Sequence, residues 1–417
     1  MSKNIIIIGA GLFQIPAIRA AKEMGHYVIT FDKNPSAPGS SLADEHYIVS
    51  THDSENILKH AIKINETRKI HAALTIGTDA TDSVSMITEK LGLPGISYKD
   101  ACSTSVNKKN MRERLLEYNI PQPQFYDVKT LSEAINVAKY IGYPVVLKPV
   151  DSMGARGVIM VSRESEMAYA FRESFNASRS EKKVIVEEYI PGYELSIDCL
   201  VYKGKIHFLC IGDRIIEKAP YFVETGHQIP SSLDDYMLLE AKAIMIKAIK
   251  ALNINNGAAK GDIKVNYSGA YIGEIAGRLS GGFMSSHTLP LSTGINAAKE
   301  AIKIALGEKP DLKPKFNKSS VERAILPESG KILSITGVEK ARKLPGIAEI
   351  HLNYKEGDII NPLKSNIGKA GNVISVHDDL LEAIKIAEKA LSIIKIITEP
   401  VKRERFKSQN NAWISAI

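Results

Sequence analysis

Two acidic side chains, Asp262 and Glu274, lie in the stretch GDIKVNYSGAYIGEI, which reads as two strands joined by a three-residue loop, Tyr267-Ser268-Gly269. With Ser268 at the centre of the loop, the two carboxylates face each other across the hairpin. Like charges opposed in this way destabilise a strand pair, and a cation between them reverses the sign. Hard carboxylate oxygens suit Mg²⁺, with Mn²⁺ as a substitute, and leave its other positions to water and substrate phosphates. A one-residue slip would undo the pairing. The structural alternative is a pair that is solvated, or neutralised by Lys260 and Lys264.

Upstream, the strand PVVLKP carries Lys148 among apolar neighbours. A lysine there is costly to bury unless it meets an anion, either a phosphate or a core carboxylate. The loop that follows, Asp151 to Gly157, contains Ser152, Gly154 and Gly157, which let backbone N–H groups approach an anion closely. It lacks the GK[ST] ending of a Walker A loop. Next comes VEEYIPGYELSIDCL. Glu187, Glu188, Tyr189 and Ile190 suit a hinge offering main-chain groups to an adenine edge, and Glu194 could accept hydrogen bonds from ribose hydroxyls. A surface hairpin with solvated glutamates is the alternative. Arg278, in EIAGRLSGG, could clamp a carboxylate or phosphate on two prongs, or form a structural ion pair. His227, in the polar loop VETGHQIP, joins Glu224 and Arg214 as a candidate substrate contact, or is simply exposed.

These groups need a scaffold, and the chain reads as three segments. Residues 1–105 alternate strand and helix. Ile5–Ile8, Tyr27–Phe31, Tyr47–Val49 and Ala72–Ile76 are the predicted strands, and Ile15–Met24 is a helix, so the grammar is that of a parallel sheet. The sequence GAGLFQ departs from the dinucleotide fingerprint because Gln14 stands where the third glycine belongs, although Asp32 ends the second strand as a ribose-binding acid would. Residues 106–310 hold the chemistry, in a small lobe of about 115–185 and a large lobe of about 186–310. Ser105 or Asn107 can cap the helix that opens this segment. Leu195, Ile197, Cys199 and Val201 alternate with Glu194, Ser196 and Asp198, which marks a half-buried strand. In residues 311–417, Ile332–Ile335 and Ile347–Leu352 read as strands and Asp379–Ile397 as one amphipathic helix ended by Pro400, followed by a charged tail, Lys402 to Lys407.

Composition narrows the function class. The chain has 417 residues, a net charge of +7 and only 6% aromatic residues. Its lysines are scattered, so the basic stripe and aromatic platforms of a nucleic-acid binder are not expected. Three unpatterned cysteines argue against a disulfide framework or zinc site and for a cytoplasmic setting. No apolar run reaches the roughly 18 residues of a membrane span. A homodimer is the default for a soluble enzyme of this size.

Taken in order, these residues resemble the ATP-grasp superfamily of carboxylate–amine ligases, in the branch containing amino-acid ligases and carbamoyl-phosphate-synthase-like enzymes. The resemblance spans nearly the whole chain. It implies a Rossmann-like first domain, a two-lobed ATP-grasp fold and a small C-terminal α+β domain that includes GVEKARKLPGIAEIHL. It also implies that Lys108, in NKKNMRERL, is the first nucleotide lysine, at the entrance to the grasp, and that Lys148 contacts the α/β-phosphates. Residues Glu187 to Ile190 would then form the adenine hinge and Glu194 the ribose acid, with Asp262 and Glu274 as Mg²⁺ ligands and Arg278 steadying an acyl phosphate. Many relatives carry an asparagine ligand two residues after the second metal acid, where this chain has Ala276. The implied reaction consumes ATP, activates a small-molecule carboxylate and joins it to an amine. Competing readings are a carboxylase using bicarbonate, a non-catalytic nucleotide-binding module and a nicotinamide oxidoreductase.

Overall fold

The computed structural model describes residues 2–179 and 181–400. Four successive isoleucines near the start have no polar face to turn to water, so they form a strand buried on both sides. β1 (Asn4–Ile8), β2 (Tyr27–Phe31), β3 (Glu45–Tyr47) and β4 (Ile70–Leu74) make a parallel sheet in the order β3-β2-β1-β4. The third and fourth strands end two residues before the sequence predicted. Val49 and Ile76 are buried but lie past the ladder. The apolarity of Val49 reports burial alone, while Ile76 makes an isolated parallel bridge to Leu279.

Asn107 is the cap of the helix Lys108–Glu117, its side chain accepting from the Asn110 N–H at 3.1 Å. A second sheet follows, made of β5 (Phe125–Val128), β6 (Val145–Pro149), β7 (Ile159–Val161) and β8 (Val184–Glu188). It is antiparallel in the order β5-β8-β6-β7. Two helices, Leu131–Ile141 and Met167–Ala177, bury Ala134, Ala138, Met167 and Ala170 against one of its faces.

The third sheet has eight strands. It begins with β9 (Tyr193–Tyr202), β10 (Lys205–Glu217), β11 (Val223–Ile229), β12 (Gly257–Asn266) and β13 (Gly269–Ala276). Three strands of the C-terminal segment complete it. That segment holds β14 (Ser319–Ile325), β15 (Gly330–Thr336), β16 (Ile347–Leu352), β17 (Ile359–Ile360), β18 (Gly371–His377) and β19 (Lys395–Glu399). The order is β13-β12-β9-β10-β11-β14-β18-β16, while β17-β15-β19 stand apart as a small sheet. On β9 the predicted apolar face is realised, but the strand is not half-buried, because Ser196 and Asp198 on its other face are buried too. Leu195, Ile197, Cys199 and Val201 pack with Met237, Ala241, Ile244 and Ala248 of the helix Asp235–Ala251.

The last helix is shorter than predicted. It runs Leu380–Ile393, capped by Asp379, and Lys395–Glu399 forms β19 on β15 instead of continuing it. The β-branched run Ile396-Ile397-Thr398 favours the ladder over a further helical turn, and Pro400 follows a strand, not a helix. The predicted charged tail, Lys402 to Lys407, lies outside the described residues. Among the described residues no helix is long and apolar enough to cross a membrane.

Candidate functional site

The acidic hairpin reaches the predicted pairing by a different route. Asn266 pairs with Gly269, so the loop is the two residues Tyr267-Ser268, one shorter than predicted. A bulge between Asp262 and Ile263 then shifts the register back, and Asp262 and Glu274 are partners. The extra residue is Gly273, where a Cβ would lie 2.9 Å from the Asp262 carbonyl oxygen, so the bulge requires a glycine.

Cations surround this pair. Lys260 bonds Asp262 Oδ2, and Arg214 Nη1 lies 2.9 Å from Asp262 Oδ1. That contact is one of charge, because Oδ1 is buried without a well-formed hydrogen bond. Lys108 Nζ lies 3.2 Å from Glu274 and donates to the Ser152 carbonyl at 2.6 Å. Burial pushes the Glu274 carboxyl up, but Lys108, Lys260 and Arg278 outweigh it and hold it at about 2. The predicted neutraliser Lys264 instead pairs with Glu194 at 3.1 Å.

Lys148 projects from β6 and pairs with Glu187 at 2.6 Å. Glu187 is 1% exposed, so solvation does not hold its charge. Arg112 Nε also binds it, at 2.8 Å, while the Arg112 Nη atoms donate to the Ile272 and Gly273 carbonyls at 2.7 and 2.8 Å. Burial raises this carboxyl too, and Arg112 and Lys148 together bring it down to about 2. Glu188 is exposed and accepts from the Gln124 N–H. Tyr189 and Ile190 then cross from β8 toward β9, with Ile190 buried. Glu194 is flanked by Arg214 at 2.5 Å and Lys264. The glycine loop turns at Gly154 and Gly157, both at left-handed φ of 68° and 70°. A Cβ at Gly157 would sit 2.6 Å from that of Ala177.

His227 is not on a loop. It lies in β11, fully buried, because the polar sequence VETGHQI is a central strand flanked by β10 and β14. Its Nε2 meets Thr288 Oγ1 at 2.8 Å, and its Nδ1 is 3.5 Å from Glu224 and 3.3 Å from Glu322. Burial lowers the imidazole pKa, but the two glutamates raise it further, above its ordinary value. Glu224 also pairs with Arg214 at 2.9 Å. Arg278 is buried in an ion pair with Asp79 at 2.7 Å and donates to the Leu279 carbonyl.

One cleft of about 670 Å³ gathers these groups. Both lobes and both flanking segments line it. Its wall includes Lys108, Lys148, Ser152, Gly154, Glu187, Glu188, Tyr189, Ile190, Glu194, Arg214, Glu224, Asp262, Glu274 and Arg278. Of the predicted residues only Gly157 and His227 stand behind the wall. Arg112, Asp79 and Glu322 were missed. Arg112 sits in a run of charges that reads as a solvated helix, and Glu322 acts from a distant segment. Asp79 had a usable signal, a carboxylate just past the carboxyl end of a parallel strand.

The N-terminal glycine loop also faces this cleft, through Leu12 and Phe13. Part of this loop is already engaged. Asp32 accepts from the Ala10 N–H at 3.0 Å, and the buried Gln14 amide bonds the Ile76 backbone at both its N–H and carbonyl.

Comparison with known proteins agrees with this layout. The ATP-grasp domain family matches residues 141–287, a PylC-like N-terminal domain matches 5–90, and the L-amino acid ligase C-terminal domain 2 matches 323–399. A formate-dependent phosphoribosylglycinamide formyltransferase of Wolinella succinogenes is 28% identical over 66% of this chain and 70% of its own length. The crystal structure of phosphoribosylglycinamide synthetase from Anaerococcus prevotii is 26% identical, with a TM-score of 0.74, covering 96% of this chain and 100% of that one. The L-amino acid ligase from Bacillus licheniformis shares the fold at 22% identity, with a TM-score of 0.81 over 95% and 99% of the two chains. The chain carries an ATP-grasp domain, set between matches to a PylC-like N-terminal domain and an L-amino acid ligase C-terminal domain.

Proposed function

We propose that the chain is an ATP- and Mg²⁺-dependent enzyme that phosphorylates a small-molecule carboxylate, joins the resulting acyl group to an amine, and releases ADP and phosphate. The observation that carries this reading is the convergence of the Asp262–Glu274 pair, Lys108, Lys148 and the Gly154 loop on one cleft. The metal fits the residues present, because Asp262 Oδ1 lacks a well-formed hydrogen bond and Glu274 is held ionised. Mg²⁺ on these two carboxylates would offset phosphate charge.

The chain's own groups do the rest. Lys108 and Lys148 bind phosphates, and the loop of Ser152, Gly154 and Gly157 lends backbone N–H groups and excludes water, which would hydrolyse an acyl phosphate. The backbone of Glu187 to Ile190 takes the adenine edge, since the Glu187 side chain is committed to Arg112 and Lys148. Glu194 takes the ribose. Arg278 steadies the acyl phosphate, and Arg214, Glu224 and His227 shape the substrate end. On this reading residues 1–105, 106–310 and 311–417 are the three working units.

The name of the Wolinella relative favours a second reading of the acid, in which formate is activated and the group delivered is formyl. Release of ADP and phosphate from Mg²⁺-ATP, measured against acids that include amino acids, formate and bicarbonate, each with and without amines, tests both. Release that needs one acid and rises with one amine supports the ligase and names its substrates. Failure of any acid to promote release would reject it.

A further inference from the structure

We propose that His287, Glu349 and His351 bind a divalent transition metal ion of the zinc class, at a site separate from the Asp262–Glu274 pair. Two elements from distant parts of the chain supply the ligands. His287 lies on the π-helical turn Met284–Thr288, and Glu349 and His351 lie two apart on β16, on the same face of that strand. The three ligand atoms lie within 4.8 Å of one another. Glu349 Oε2 is 3.2 Å from His287 Nε2 and 2.5 Å from His351 Nε2. Tetrahedral zinc with bonds of about 2.0–2.1 Å holds its ligand atoms about 3.3 Å apart, so small side-chain rotations complete the set.

Three further features favour a metal over a plain pair of hydrogen bonds. Ser286 Oγ meets His287 Nδ1 at 2.7 Å, which orients that ring and leaves Nε2 for an ion, as outer partners of metal-bound histidines do. Phe283 stacks on His351 with centroids 4.6 Å apart and meets the His287 ring edge-on at 5.1 Å, so both imidazoles are held. The side chains stay between 23% and 45% exposed, which leaves an entry path and a position for water. Two imidazoles and one carboxylate with an open position suit a borderline ion such as Zn²⁺, Co²⁺ or Ni²⁺ better than Mg²⁺. A bound ion would tie β16 to the segment carrying Phe283, whose ring forms part of the cleft wall and whose φ of 71° is left-handed.

Cobalt is the probe. The full chain is stripped with chelator, held in excess Mg²⁺ to occupy hard-oxygen sites, and titrated with Co²⁺ while visible absorption and melting temperature are followed. The expected result is one Co²⁺ bound with the absorption bands of nitrogen ligation, together with a rise in melting temperature. Glu274→Ala retains both. His287→Ala and His351→Ala each weaken binding by more than about 100-fold, and Ser286→Ala by about 10-fold, since outer-partner losses typically cost about 10–100-fold. If a histidine variant melts early without metal, the half-exposed Glu349→Gln carries the test instead. No Co²⁺ uptake by the parent, or unchanged bands in the histidine variants, overturns the site.

Discussion

Two glycine-bearing loops face the same cleft, and they differ in what their polar groups already do. In the loop Gly9 to Gln14, the Asp32 carboxylate takes the Ala10 N–H, the Gly39 N–H donates to the Ala10 carbonyl, and the Gln14 side chain packs over Gly9, while among the described residues no hydrogen bond takes the N–H of Gly11 or Leu12. In the loop Ser152 to Gly157, carbonyls are taken by Lys108 and by the Asn366 N–H, but among the described residues no backbone hydrogen bond takes the N–H of Gly154 or Ala155. A glycine pattern therefore says that backbone can come close to something. Both loops keep uncommitted N–H groups, so whether that something is an anion depends on the charge beside them: a carboxylate, Asp32, sits on the first loop and an ammonium, Lys108, on the second.

The contrast can be broken from either side. The largest effect is expected at the carboxylates that the second loop faces: Glu274→Ala lowers Mg²⁺-dependent ATP turnover by roughly 100- to 1000-fold, on the scale of removing one preorganised charge-stabilising group. Unchanged turnover would detach the hairpin from the chemistry. Lys148→Ala lowers ATP affinity by about 10- to 100-fold, the worth of one charge-assisted hydrogen bond of about 1.5–3 kcal/mol, and equal affinity by calorimetry would reject its phosphate role. Gln14→Gly restores the fingerprint glycine, yet it is expected to leave ATP affinity untouched and to cost about 1–3 kcal/mol of stability through its lost buried bonds. NADH fluorescence appearing on the parent chain would contradict the reading that Asp32 and Gln14 keep a dinucleotide off the first loop.

The smallest effect is in acid. Glu187 and Glu274 are held at about 2, below the roughly 4.3 of an unfolded glutamate. The stability they add is complete above about pH 4.3 and lost as pH falls toward 2. Denaturant melts of Glu187→Gln between pH 5 and 2.5 should show a flatter pH slope than the parent. Parallel slopes would mean that this carboxylate is not the one titrating.

Local pattern revealed most of the scaffold and much of the cleft wall. The alternation after Glu194 placed one face of β9 on a helix because hydrophobicity has period two there, although Ser196 and Asp198 on the other face are buried as well. The Asp262–Glu274 pairing was reached with a loop one residue too long and no bulge, two errors that cancel. Hairpin register depends on their sum, so sequence could give the pairing without giving the geometry. His227 was read as a loop residue because a buried strand made of Glu, Thr, His and Gln has no hydrophobic signal. Its burial depends on Glu224 and Glu322 supplying charge from neighbouring positions. Arg112 was invisible for the same reason, since its partner Glu187 lies 75 residues on. Ionic burial is a long-range property, and periodicity reports only the near range.

The eight-stranded sheet gives the C-terminal segment a further duty. β14 pairs along β11, with Gly226 opposite Arg323 and His227 opposite Glu322. A chain cut after residue 310 would leave β11 as an open rim of unpaired N–H and carbonyl groups, bearing a buried histidine newly exposed. Such a rim is a template for another chain. The C-terminal strands thus serve as a guard against self-association, and a truncated grasp is expected to precipitate where the whole chain does not.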